Sequence, residues 1–160
     1  MRRPRFHLWH SVLTTAALVL VELLFLHAPL LWAETLLLAL AIIGAAVTIF
    51  AATEAIEEVR GSRMLFAVLT FVLAQFVLFF AFEFWLLDTI QPLAFPSLAN
   101  GPASYLLSSI MAFVLNPLYL PATPSGQLLL IIETIGAVGI VLFVLQNIYQ
   151  LRPRSLDRHE

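Results

Sequence analysis

Three glutamates and a histidine stand inside or at the ends of long apolar stretches: Glu22, His27, Glu83 and Glu133. An ionisable group placed in lipid is costly and by default marks function. Glu22 fits a proton or cation site, or, the reading preferred here, a carboxyl bonded to a neighbouring helix. It is placed near the middle of the first stretch. His27 is five residues further on and off Glu22's helical face, so the two alone make no metal site. Glu83, with Asp88 beyond it, can draw cations to a mouth or cap backbone groups. Glu133, inside the last stretch, is open to a structural or a permeation role. No HExxH, P-loop or GxGxxG motif occurs, and no histidine is near Ser108-Ser109 in sequence. No catalytic residue, cofactor or metal is expected; the chain does not read as an enzyme.

The elements that hold these residues follow from composition. Of 160 residues, 61% are hydrophobic, 11% are charged and none is cysteine. A soluble domain carries about 45–50% apolar and about 25% charged residues. This chain lacks the polar surface for a water-facing globule, which excludes a soluble enzyme, a disordered chain and a nucleic-acid binder. Residues 35–53 and 64–82 contain no charged residue or histidine. Residues 11–32 are interrupted only by Glu22 and His27, and residues 127–151 only by Glu133 and a few amides. A span needs about 20 apolar residues, so four transmembrane helices are expected. The basic residues are all arginines: Arg2, Arg3, Arg5, Arg60, Arg63, Arg152, Arg154 and Arg158. They fall in the N-terminal tail, the second connection and the C-terminal tail, which the positive-inside bias assigns to the cytoplasm. The first stretch reads as an uncleaved anchor, because Glu22 interrupts it and Leu31-Trp32-Ala33 lacks a small-x-small cleavage pattern.

The third connection is unusual. No charge lies between Asp88 and Glu133, yet six of the nine prolines do: Pro92, Pro96, Pro102, Pro117, Pro121 and Pro124. The segment is too apolar for water and too broken for a span. A re-entrant path reconciles the two, since irregular backbone at membrane depth is tolerated when buried in protein or lining a cavity. Asn100-Gly101-Pro102 starts a short helix over residues 103–112. Residues 113–119 read as extended, with Asn116 kept off helix by Pro117, and residues 121–126 return the chain to the surface. The alternative is an apolar extracellular loop covering helix ends.

In this order the chain resembles the pore module of the potassium-channel superfamily, of the simple prokaryotic two-helix type. Tyr105 falls at the pore-helix aromatic, Pro121-Ala122-Thr123-Pro124 at Pro-x-Thr-Pro, and Ile131-Ile132-Glu133 at the inner-helix Ile-Leu-Glu, without a gap. Gly136 and Gly139 fall where inner helices of this family carry a hinge. The resemblance implies that Tyr105, Glu133, Pro121 and Pro124 support the pore helix and filter. The filter positions depart from the family: Phe113, Val114, Leu115, Asn116 and Pro117, then Leu118, replace Thr-Val-Gly-Tyr-Gly-Asp. A potassium filter replaces the ion's hydration shell with backbone carbonyls, and glycine supplies the positive φ this needs. Leucine resists it and proline forbids it.

The expected fold class is an all-α integral membrane protein: four transmembrane helices, with a re-entrant pore helix and an extended filter-like segment between the third and fourth. Residues 1–63 hold two helices with a cytoplasmic tail and turn, 64–151 the pore module, and 152–160 a cytoplasmic tail. The resemblance implies a multi-pass protein of a prokaryotic inner (plasma) membrane, homotetrameric within the lipid bilayer, passing monovalent cations with altered or weak selectivity. The rivals are a non-conducting scaffold or regulatory partner, and a four-helix membrane subunit without a pore.

Overall fold

Pro29 sets the first boundary. Its ring cannot continue a helix from the preceding turn, and its carbonyl instead accepts the amides of Trp32 (2.9 Å) and Ala33 (3.1 Å) to start the next one. The computed structural model describes residues 8–58, 62–92, 94–96 and 101–150. Helix α1 is Leu8–Leu24 and α2 is Leu30–Glu58, joined by a turn. The apolar stretch 11–32 is therefore not one span, and its last residues belong to α2. Helices α3 (Ser62–Ile90), α4 (Pro102–Phe113) and α5 (Pro124–Gln150) follow.

Helices α2, α3 and α5 are each long and apolar enough to cross a membrane. The chain is thus an all-α, multi-pass helical membrane protein. The 17 described residues of α1 extend about 26 Å at 1.5 Å per residue, somewhat less than a hydrocarbon core. Two placements differ from expectation. Glu22 lies in the last turn of α1, not mid-span, and Glu83 and Asp88 both lie within α3, which runs on to Ile90. Arg63 is exposed at the start of α3. The other seven arginines, Asn100 and the 152–160 tail lie outside the described residues.

Small residues on α2 let α3 approach. Ala41, Ala45, Thr48, Ala52 and Ala55 recur at helical spacing and are all buried. Such small-residue seams pack transmembrane helices by close van der Waals contact, lipid tails being as apolar as the side chains. Facing them, α3 presents Phe76, Phe79, Phe80 and Phe84, all buried, with Phe76 and Phe80 rings 4.7 Å apart. Gly44 is the tightest point: a Cβ there would stand 2.2 Å from Phe79 Cε1. Leu129, Ala137 and Ile140 of α5 close the same core, while α4 packs against both α3 and α5.

Candidate functional site

Two hydrogen-bonding residues one turn apart brace α4. Gly101 precedes it and Pro102 occupies its first turn, where a missing N–H costs nothing. Tyr105 and Ser109 then share its buried face with Ser108 and Ala112. The Tyr105 hydroxyl donates to Asp88 Oδ2 at 2.6 Å, while Asp88 Oδ1 accepts the Phe95 amide at 3.4 Å. Burial, and then the Asp88 carboxyl beside it, push the Tyr105 hydroxyl up to about 12, so it stays a donor. Ser109 Oγ meets the Val77 carbonyl of α3 at 3.0 Å and also Glu133 Oε1 of α5. A serine hydroxyl carries one proton. Both contacts are hydrogen bonds only when Glu133 supplies a second proton. Glu133 Oε2 and Ser108 Oγ are buried without a partner.

Residues 113–119 are not a strand, and no strand occurs among the described residues. Phe113 is the last helical residue and packs edge-on to Phe76 at 5.9 Å. The amide of Leu115 donates to the Ala112 carbonyl (2.9 Å) and that of Asn116 to Met111 (2.8 Å). This is the Schellman ending of a helix. Its left-handed position, usually glycine, is Leu115 at φ 61°. The helix therefore runs into the filter-like segment and closes on itself, which corrects the extended reading. Val114, Leu115, Asn116, Pro117 and Leu118 are exposed; the Asn116 amide is the one side chain among them able to bind an ion or water.

The return to α5 has a local logic. Thr123 accepts the Gly126 amide at 3.3 Å, an N-cap with Pro124 in the first helical position. Pro121 is buried and its carbonyl accepts from Gln127 Nε2 at 3.5 Å. The Ala122 amide donates to Ala94 at 2.9 Å. Helix α5 passes Gly136 and Gly139 unbroken. Gly136 makes room, since a Cβ there would stand 3.0 Å from the Phe76 ring; at Gly139 a Cβ would meet Ile49 Cδ1 at an ordinary contact distance of 3.5 Å.

The other ionisable residues that the sequence singles out, Glu22, Glu83 and His27, lie on α1, α3 and the first turn. His27 is exposed in that turn, apart from the buried Glu22. Glu22 and Glu83 meet across the α1–α3 contact. Sequence reasoning did not single out the polar node on the same seam. Gln75 Nε2, with two N–H groups to share, lies within hydrogen-bonding distance of Thr15 Oγ1 (2.5 Å), Ser11 Oγ (3.0 Å) and the Ser11 carbonyl (3.2 Å). Ser11 and Thr15 one turn apart were its legible half. Nor was the tie between helix starts seen, where Ser125 Oγ donates to Glu34 Oε2 at 2.9 Å.

Comparison with protein-family models, curated proteins and solved structures finds no match to this chain.

Proposed function

We propose that this protein is a pore-forming membrane protein of the potassium-channel-like class. Four spans surround a re-entrant α4, and copies assemble, as tetramers by analogy, around an axis lined by residues 114–118 and α5. Both termini are cytoplasmic. Conduction is of monovalent cations with weak or altered selectivity, through an apolar constriction that can gate by dewetting. One observation carries the reading: a short helix is braced between two long ones by Tyr105–Asp88 and Ser109–Glu133, and it delivers an exposed, non-helical segment back to the start of α5. Neutral or hydrogen-bonded carboxyls suit such a brace at membrane depth.

A second reading has its own support. Phe113 turns into the chain's own core against Phe76, and the cap at Leu115 forms no row of carbonyls. Both favour a non-conducting scaffold or regulatory partner. Flux of sodium and potassium from liposomes holding the purified protein separates the readings. Conduction without strong preference supports the first, and silence supports the second. Replacing residues 113–118 with the family sequence Thr-Val-Gly-Tyr-Gly-Asp should yield potassium-selective current if the scaffold is that of a channel. A folded, silent product counts against it.

A further inference from the structure

We propose that Glu22 and Glu83 form a proton-binding carboxyl pair between α1 and α3, one carboxyl donating a hydrogen bond to the other. Helix register brings them together. Gln75 of α3 holds Thr15 of α1. Glu83 is eight residues beyond Gln75 and Glu22 seven beyond Thr15, so each lies about 11–12 Å further along helices that run the same way. Leu86 and Ile90, on the turns of α3 after Glu83, line with Glu22 a cavity of about 10 Å³. That is at the lower limit for one water. Glu22 is 3% exposed and Glu83 is fully buried.

None of the four carboxyl oxygens receives a hydrogen bond from another group among the described residues. A carboxylate can only accept. Two of them facing each other in a dry interior leave their lone pairs unmet and their charges unopposed. One proton converts that clash into a donor–acceptor contact.

Among the described residues no cation stands beside the pair: His10 lies at the far end of α1 from Glu22, and Arg63 at the far end of α3 from Glu83. On α2, Glu34 accepts from Ser125 and Glu54 stands near the opposite end of the helix from Glu34. On α3, Asp88 accepts from Tyr105; on α5, Glu133 meets Ser109. His27 is exposed in the turn. The site is separate from residues 113–118 and goes beyond the pore reading, so it holds whether or not the protein conducts.

Infrared spectra of the full-length protein in phosphatidylcholine nanodiscs, taken at neutral pH in water and in deuterium oxide, read protonated carboxyls directly. The expected result is a deuterium-sensitive carboxylic C=O absorption that falls in both E22Q and E83Q. In each, the new amide N–H replaces the proton as donor. The part lost should differ from the part lost in E133Q. Unchanged carboxylic absorption in both glutamine variants overturns the proposal. So does a carboxylate absorption lost in its place that shifts when sodium is exchanged for lithium, which marks an alkali-cation site. Should the glutamine variants lose helix content, E133Q decides alone. Carboxylic absorption retained there supports the pair, and its complete loss overturns it.

Discussion

Leu115 holds a left-handed backbone, which costs an L-residue about 1–2 kcal/mol, with its side chain exposed at 57%. Little packing inside one chain repays that cost. Leu115→Gly should therefore raise the thermal stability of the protein in detergent by about 0.5–1 kcal/mol, the backbone gain less the extra entropy of an unfolded glycine. A loss instead shows that the leucine side chain packs on something outside its own chain. Tyr105 makes the opposite case. It joins α4 to α3 through a charge-assisted bond to Asp88, and such bonds contribute about 1.5–3 kcal/mol. Tyr105→Phe should lower stability by that amount. It should also remove a pH dependence whose sign is fixed by linkage. The folded state keeps the phenolic proton up to about 12, against 10.0 for the unshifted group. The native protein thus binds more protons in that window, and stability falls as pH rises through it. Melting curves recorded across that range should flatten in the phenylalanine variant.

Between α2 and α3, closeness rests on what is missing. Gly44 leaves the Phe79 ring where a Cβ would stand, so Gly44→Ala should cost about 1–3 kcal/mol through overpacking. Phe79→Leu in the same chain should recover part of it, and a double-mutant cycle by thermal unfolding measures that coupling. Additive losses show that the ring swings clear unaided. This seam also marks what the sequence made legible. Long apolar runs announced α2, α3 and α5, because lipid demands them. Proline and glycine announced the start of α4. The α1–α2 break was signalled by Pro29 but hidden by apolar residues on both sides of it. The end of α4 carried no signal, because Phe113-Val114-Leu115 reads as strand and a left-handed position without glycine or asparagine is silent. Pairings between distant helices, Gln75 with Thr15 or Glu22 with Glu83, depend on which helix neighbours which. Periodicity along one helix does not contain that information.

Across the whole molecule, an exposed stripe on α5 raises the question of what covers it. Leu128, Ile131, Ile135, Leu142 and Leu145 recur at helical spacing and are all exposed. Near its middle, α5 and the filter-like segment enclose an apolar cleft of about 210 Å³ bordered by Phe113, Leu115, Val138 and Leu142. In lipid such a stripe needs no protein partner, because side chains and acyl chains are equally apolar. The axis reading makes a sharper demand: this face of α5 must meet copies of itself. The chain has no cysteine, so one introduced thiol reports contact between copies without background. Ile135→Cys should form covalent dimers on mild oxidation in membranes. Phe50→Cys, placed on an exposed position of α2, should not. Each thiol can join only one other, so a ring of four gives dimers and nothing larger on a denaturing gel, while the native mass stays that of the full ring. Equal cross-linking at both positions reports random collision. A native mass of one chain leaves the stripe to lipid and removes the pore.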